Sequence, residues 1–199
     1  MAATYQPSQW LIPKNANTDK VGNYSFQFDG TADCIDISNG IPPRFVSTTG
    51  NASTEPWSVS MWVNFDTSAA NYFIQLPLGA ATYTWTLLFS SSKITFGHRY
   101  GTALVTEDGT TAINSNQWNN IAVTFDGVDI MLLSSWKLFI NGSPITITTR
   151  SHFGTNNSAQ LNIARFLTTV YGDNKTDEVS LFDYALTSGN VTSIYNSGT

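Results

Sequence analysis

The chain has 199 residues and a formal net charge of −5, and 12% of its residues are charged while 13% are aromatic. This length suits one domain, or one domain with a short arm, because β-sandwiches of this size are common. The nine basic residues are scattered, which excludes nucleic-acid binding, since contacts to phosphate need clustered Lys and Arg. Cys34 is the only cysteine, so neither an intramolecular disulfide nor a cysteine-based zinc site can form, and we expect a buried, inert thiol.

No stretch of the sequence approaches the roughly 18 apolar residues of a membrane span. The N-terminus also lacks the basic segment followed by an apolar segment that marks a signal peptide. We therefore expect a chain that does not insert into a membrane, and that either leaves the cell without such a signal or has lost it.

The first part of the chain differs from the rest. Residues 1–20 contain Pro7 and Pro13 and show no periodicity, which predicts an extended N-terminal arm with residues 10–12 as its apolar contact. The remainder, residues 21–199, is predicted to form one domain.

Strict alternation of apolar and polar residues predicts strands throughout this domain. The predicted strands cover residues 24–28, 33–37, 57–65, 72–76, 83–89, 93–100, 104–107, 121–125, 136–140, 143–147, 161–166 and 178–182. Residues 39–56 are predicted to be a loop, and residues 187–196 to form one or two helical turns. Many short strands separated by turn residues indicate an all-β fold, a two-sheet antiparallel β-sandwich or jelly roll.

The region from residue 118 to residue 147 is predicted to be a hairpin around which the other strands are arranged. Asn141-Gly142 is a strong turn signal, because both residues tolerate the positive φ of a type I′ turn. Residues 128–135 are longer than a tight turn requires, and we expect an elaborated loop that packs down onto the domain.

Five segments in order resemble a known family. They are YSFQFDGTAD at residues 24–33, WSVSMWVNF at 57–65, QWNNIAVTFDG at 117–127, LFING at 138–142 and TDEVSLFDYALT at 176–187. This series is similar to laminin-G-like domains of the concanavalin A-like lectin/glucanase superfamily. The resemblance covers residues 21–199 and implies a jelly roll with one concave and one convex sheet, in which ligands bind the concave face or its rim.

Because this fold serves many functions, the function of the chain depends on the residues at its site and not on the fold alone. Hydrolases of the superfamily carry two glutamates and an aspartate close together on one strand. Glu55, Glu107 and Glu178 are the only glutamates here, and none lies in such a pattern. Glycoside hydrolysis needs two facing carboxylates, so we expect a non-catalytic binding module, and glycoside hydrolysis is the disfavoured alternative.

Sugar sites combine an aromatic platform with polar groups that satisfy hydroxyls. The residues predicted to contact a glycan or surface polysaccharide lie near strand ends or in loops: Trp85, Arg99, Tyr100, Trp136 and Tyr171. Aromatic residues of β-sandwiches more often lie in the hydrophobic core than form a ligand platform. A core position therefore stays open as the alternative for each aromatic candidate. The other tryptophans considered, Trp57, Trp62 and Trp118, are assigned structural roles and not ligand contacts.

The resemblance also implies a possible Ca²⁺ ion. Asp177 matches an aspartate that contributes to calcium binding in the glucanase branch, and Asp29 and the carbonyl of Gly30 are its predicted partners. Asp173 and Asn174 in the preceding segment are an alternative source of ligands. A further alternative is that Asp29 only stabilises an Asp-Gly turn.

A third hypothesis is purely structural. Laminin-G-like modules with a short arm and no signal peptide resemble modules of virion proteins of bacteriophages, which would place the chain on a virion surface or another extracellular assembly. In that case the arm of residues 1–20 docks to a neighbouring virion or structural subunit. The binding and structural hypotheses are compatible with each other.

Overall fold

The computed structural model describes residues 25–37, 55–66, 71–77, 84–90, 92–100, 103–129, 132–151, 161–166 and 170–197. The predicted N-terminal arm, and residues 39–54 of the loop predicted at residues 39–56, lie outside these ranges. Within the described part of the chain, no helix is long and apolar enough to cross a membrane.

The described residues form fifteen strands, one α-helix and one short 3₁₀ helix. The strands are β1 Phe26–Asp29, β2 Ile35–Ile37, β3 Trp57–Phe65, β4 Asn71–Pro77, β5 Thr84–Ser90, β6 Lys93–Tyr100, β7 Ala103–Ala112, β8 Asn119–Phe125, β9 Trp136–Ile140, β10 Ser143–Ile145, β11 Ile147–Ser151, β12 Leu161–Ile163, β13 Arg165–Phe166, β14 Val170–Tyr171 and β15 Asp173–Phe182. The 3₁₀ helix is Leu133–Ser135, and the α-helix, α1, is Ser188–Ser197.

Two antiparallel sheets contain most of these strands, as predicted. The six-stranded sheet has the order β1-β15-β3-β8-β9-β10, and the seven-stranded sheet has the order β11-β7-β6-β5-β4-β12-β2. Strands β13 and β14 form a separate two-stranded ribbon. The sheets enclose one large apolar core, to which both contribute alternate side chains.

Strand β3 lies at the centre of the six-stranded sheet, between β15 and β8. The predicted apolar face is confirmed, since Trp57, Val59, Met61, Val63 and Phe65 are each at most 3% exposed. The opposite face is buried as well, because the segment that leads into α1 covers it. Ser58 Oγ donates to the carbonyl of Tyr184 and accepts the N–H of Leu186, both at 2.9 Å.

The hairpin turn is confirmed by the backbone, because Asn141 has a φ of +51° and Gly142 a φ of +74°. The predicted strand of residues 143–147 is corrected, since β10 ends at Ile145 and β11 begins in the other sheet. The loop before β9 does not pack down over its whole length. Val128 is 70% exposed and Leu132 is 48% exposed. The two ends of the loop are joined by a hydrogen bond that the N–H of Asp126 donates to the carbonyl of Ser135 at 3.0 Å.

Two predicted strand boundaries are wrong for physical reasons. The last strand begins at Asp173, not residue 178, because its inward-facing residues Asn174 and Thr176 are polar and give no apolar period. The predicted strand of residues 161–166 is divided at Ala164, whose φ of +59° turns the chain from β12 into β13.

Candidate functional site

Trp85 and Trp136 are core residues, which corrects their prediction as ligand contacts. They are 0% and 3% exposed, and their rings stack at 6.5 Å with an interplanar angle of 9°. Trp57 lies edge-on to both, at 5.2 Å and 5.6 Å. Inward-facing positions of opposite sheets bring these rings together, so neither tryptophan offers a face to a ligand.

Arg99 and Tyr100 end β6, where the backbone of Arg99 lies opposite Thr84 and Leu104. The side chains of Arg99 and Tyr100 lie outside the described part of the structure. Their predicted contact with a glycan therefore stays a prediction.

Tyr171 is half-buried and lies directly opposite Arg165 in the β13–β14 ribbon. Opposite residues of an antiparallel pair project from the same face, with Cβ atoms about 4.5–5.5 Å apart. Tyr171 is therefore beside the most connected polar group in this region. Among the residues predicted from sequence, it is the one that the structure places in a polar constellation.

We call this constellation the Arg165 cluster; it consists of Cys34, Asp36, Asn162, Arg165 and Tyr171. Nη2 of Arg165 lies 2.7 Å from Asp36 Oδ1 and donates to Asn162 Oδ1 at 3.1 Å. Nη1 of Arg165 donates to the sulfur of Cys34 at 3.5 Å. The expectation of a buried thiol is thus corrected, because Cys34 is only half-buried, while its inertness stays a prediction.

The strands explain why these side chains meet. Asp36 lies opposite Asn162 in the β2–β12 ladder, while the flanking residues Leu161 and Ile163 belong to the core. Asp36 and Asn162 therefore point to the outer face of the seven-stranded sheet. The positive φ of Ala164 then directs Arg165 back over that face.

Backbone hydrogen bonds hold the ribbon against the sheet. Ala164 N donates to Phe73 O at 2.9 Å, and Gly172 N donates to Ala164 O at 2.8 Å. Partial burial also raises the pKa of Tyr72, the residue before Phe73 on β4. The Arg165 cluster thus lies on strands that backbone hydrogen bonds join to the sheet.

The predicted calcium ligands do not come together. Asp29 lies opposite Asp173 on β15, so Asp177 is four residues further along the strand. At about 3.3 Å per residue this separates the two carboxylates by about 13 Å, whereas calcium–oxygen bonds are about 2.3–2.6 Å long. The described residues contain no group of three or more His, Cys, Asp or Glu side chains that could hold a metal ion.

Asp29 instead stabilises its turn, as the alternative interpretation proposed. Its Oδ1 accepts the N–H groups of Thr31 at 2.8 Å and Ala32 at 3.2 Å, and these bonds lower the pKa of Asp29. Gly30 has a φ of +74° in this turn. The predicted set of Asp29, Gly30 and Asp177 therefore does not fit one calcium ion, and calcium binding with other ligands stays a prediction.

Asp177 and Glu178 form the start of a β-bulge opposite β3. Glu178 has a φ of +48°, and its N–H donates to Asp177 Oδ1 at 2.8 Å. Partial desolvation, with a smaller effect from the neighbouring Asp177, raises the pKa of the Glu178 carboxyl. Because the two acids are consecutive, they do not make the facing pair of carboxylates that glycoside hydrolysis needs.

Sequence reasoning missed Asp36, Asn162 and Arg165. The first two each stand alone between apolar neighbours, in IDI at residues 35–37 and LNI at residues 161–163, and this alternation places them on an outer face. No local pattern shows that these two short strands are neighbours. The pairing only becomes visible in the sheet order.

These features define the class of protein: a β-sandwich whose outer sheet face carries a polar cluster with an aromatic neighbour. A family profile described as the concanavalin A-like lectin/glucanases superfamily, of the laminin G type, matches residues 29–192. The chain belongs to this superfamily. No curated protein sequence matches it significantly.

Solved structures with the same fold are similar at low sequence identity. A heptameric SAP-like pentraxin from Limulus polyphemus has a TM-score of 0.56 and 14% identity, over 85% of this chain and 80% of the pentraxin. The binding domain of botulinum neurotoxin serotype D has a TM-score of 0.57 and 15% identity, over 86% of this chain and 42% of that domain.

A third similar structure is the binding domain of botulinum neurotoxin DC in complex with rat synaptotagmin II. Its TM-score is 0.52 at 16% identity, over 74% of this chain and 37% of that domain. The chain thus spans about two fifths of the toxin binding domains. At these identities the likeness shows the fold alone.

Proposed function

We propose that the chain is a non-catalytic carbohydrate-binding module whose ligand contacts the Arg165 cluster. The observation that carries the proposal is the geometry around Arg165, which contacts Asp36 and Asn162 and lies opposite the half-buried Tyr171 in the β13–β14 ribbon. A pyranose needs an apolar surface for its ring face and charged or amide groups for its hydroxyls. The cluster offers the exposed carboxylate of Asp36 and the half-buried Tyr171, while the fully buried Asn162 holds Arg165 in place.

A glycan array with matched aromatic variants tests this proposal. We expect Tyr171→Ala to weaken glycan binding about tenfold without unfolding the domain, because stacking on the ring is lost. Tyr184→Ala is the matched control, since Tyr184 is 47% exposed but belongs to the segment that covers the six-stranded sheet. Equal affinities for the two variants, or no saturable binding to any glycan, would overturn the proposal.

Calcium is tested in the same experiment by repeating it with and without a chelator. Loss of binding on chelation would indicate that an ion fixes the site through ligands other than the predicted set. Unchanged binding would agree with a site built from Arg165 and its partners alone.

A second candidate function is assembly with a protein partner, and one observation favours it. Val128 and Leu132 expose apolar surface at the loop of residues 126–135. Beside this loop lies an open cavity of about 690 Å³, whose lining includes Leu133, Ile145 and Ile147. Contiguous exposed apolar surface marks protein-interaction sites in soluble proteins. Display on a virion or another extracellular assembly, with residues 1–20 as the docking arm, belongs to this proposal.

Sedimentation velocity tests the second candidate function, because it measures whether the chain assembles or stays monomeric. We expect the full chain to self-associate in a concentration-dependent manner, and expect the double substitution Val128→Ser with Leu132→Ser to abolish the association. Deletion of residues 1–20 tests the arm separately. A monomer at all concentrations would count against assembly through copies of this chain, and leaves the carbohydrate-binding proposal untouched.

A further inference from the structure

Building on the proposed carbohydrate-binding function, we infer that the ligand is a neutral glycan that presents hydroxyl groups to Asp36, and not an acidic glycan recognised by Arg165. The two possibilities differ in which member of the ion pair faces the ligand. Contacts and burial within the Arg165 cluster distinguish them.

The guanidinium of Arg165 is already engaged within the protein. Its Nη2 contacts Asp36 at 2.7 Å and Asn162 at 3.1 Å, and its Nη1 contacts Cys34 at 3.5 Å. Its Nε is buried without a hydrogen-bond partner among the described residues, and because the side chain as a whole is only 13% exposed, a ligand has little access to the guanidinium. Recognition of a ligand carboxylate by arginine uses two parallel N–H groups on one accessible edge. Arg165 therefore positions Asp36 and Asn162 and does not itself bind the ligand.

Asp36 is the more exposed partner, because 39% of its side chain is accessible. The contacts that Arg165 and the Cys34 thiol make with Asp36 both fall on Oδ1, so no contact from these two members of the cluster occupies Oδ2, the oxygen that we assign to the ligand. An ionised carboxylate accepts hydrogen bonds and donates none. Its natural partner is a hydroxyl group of a sugar.

Electrostatics disfavour an acidic ligand at this position. The Asp36 carboxylate neutralises Arg165, so the pair offers no net positive charge, and the chain as a whole carries −5. A ligand carboxylate or sulfate placed against Asp36 meets a like charge in a partly desolvated setting, where repulsion is stronger than in bulk water. A neutral glycan meets no such repulsion.

Matched oligosaccharide pairs test the inference. Titration calorimetry is performed with neutral galactose- or glucose-terminated oligosaccharides, and with the same oligosaccharides ending in sialic or glucuronic acid. We expect the neutral member of at least one pair to bind at least about tenfold more tightly than its acidic counterpart. Asp36→Asn should weaken neutral binding and, by leaving the charge of Arg165 uncompensated, improve acidic binding. Asp33→Asn, an exposed acid in the preceding turn, is the control and should change neither.

The reactivity of Cys34 reports, in the unaltered protein, whether the glycan binds at the Arg165 cluster. It is the only cysteine of the chain, so alkylation by N-ethylmaleimide followed by mass spectrometry reports on this site alone. We expect the bound neutral glycan to slow alkylation of Cys34. Preference for the acidic members, or neutral binding that is insensitive to Asp36→Asn and does not protect Cys34, would overturn the inference while carbohydrate binding stands. Absence of binding to either class would overturn the proposed function itself.

Discussion

Asn174 Nδ2 donates a hydrogen bond to Asn71 Oδ1 at 2.7 Å, although the two residues belong to different sheets and are 103 positions apart in the chain. The same Nδ2 group donates to Tyr72 O at 3.1 Å, and Thr176 donates to Asn174 Oδ1 at 2.7 Å. Asn71 in turn donates to the carbonyl of Asp173. This buried network ties the edge of the sandwich together next to the ribbon that carries Tyr171.

Removal of the central amide should be costly. We expect Asn174→Ala to lower the free energy of unfolding by about 3 kcal/mol, because Asn71 Oδ1, Tyr72 O and the Thr176 hydroxyl lose their partner while remaining buried. Lys175→Ala, at the exposed neighbouring position of β15, should change it by less than about 0.5 kcal/mol. Urea denaturation of both variants checks this, and similar midpoints would show that the network contributes little.

Gly172 leaves the space that this network needs. A Cβ atom at Gly172 would collide with the carbonyl of Tyr72 and with Nδ2 of Asn174, and backbone cannot move aside cheaply. We expect Gly172→Ala to destabilise the domain by about 1–3 kcal/mol. Thermal unfolding provides the measurement.

Gly189 is the matched control for Gly172, because its added Cβ would meet only Thr187 Oγ1, at 3.8 Å. It lies inside α1, where alanine is preferred over glycine by about 0.5–1 kcal/mol. Gly189→Ala should therefore raise the melting temperature while Gly172→Ala lowers it. Shifts of the same sign would contradict the steric argument.

The free energy of unfolding of a Trp85 variant tests whether this residue belongs to the core. We expect Trp85→Ala to lower the free energy of unfolding by about 3–5 kcal/mol, since it opens a large cavity against Trp57 and Trp136. Tyr171→Ala should cost far less, because that ring is only half-buried. If Trp85→Ala retained its stability, the tryptophan would have to be considered again as a ligand platform.

Backbone strain at Glu178 predicts a stabilising substitution. Its φ of +48° lies in the left-handed region, which costs a non-glycine residue about 1–2 kcal/mol. Glycine removes this strain but loses more entropy on folding, so Glu178→Gly should stabilise the domain by a net of about 0.5–1 kcal/mol. Glu178→Gln keeps the strain and also removes the charge, so the glycine variant is compared with Glu178→Gln at the same pH in urea denaturation. A destabilised glycine variant would mean that the side chain contributes more than the strain costs.

The raised pKa of Glu178 also predicts a pH dependence. The folded state holds this proton more tightly than the unfolded chain, whose carboxyl has the ordinary value of 4.5. Its contribution to stability is therefore complete below that value, and it is lost as the pH rises through the raised folded pKa. Relative to the unaltered chain, Glu178→Gln should be more favourable at pH 7 than at pH 3. Comparing the two proteins at the same pH removes the contribution of the other acidic groups to stability. A difference in free energy of unfolding that does not change with pH would contradict the assignment.

Several elements could be predicted because their causes are local. Alternation along residues 57–65 predicted which side chains of β3 enter the core, since the strand period is a property of the backbone. Asn141 and Gly142 predicted their turn through their tolerance of positive φ. Where strands carry inward polar residues, as at Asn174 and Thr176, this local signal is absent and the boundary was missed.

The candidate site depended on contacts that no local pattern encodes. Tyr171 was proposed from its residue type and position alone, whereas its neighbours Asp36 and Arg165 were not proposed at all. Arg165 and Cys34 are 131 positions apart, and they meet because β12 pairs with β2 at one edge of the seven-stranded sheet. The aromatic residues Trp85 and Trp136 were misassigned because an apolar ring suits a core and a sugar platform equally well.

The all-β class, the positions of the main strands along the chain and the central hairpin were evident from side-chain periodicity and turn chemistry, which act over a few residues. The superfamily was indicated separately, by the resemblance of five segments to laminin-G-like domains. Which aromatic rings are buried, and which polar side chains share one face, became visible in the folded chain alone. Both depend on strand order, and the polar cluster depends also on the left-handed turn at Ala164, so both arise from interactions between distant parts of the chain.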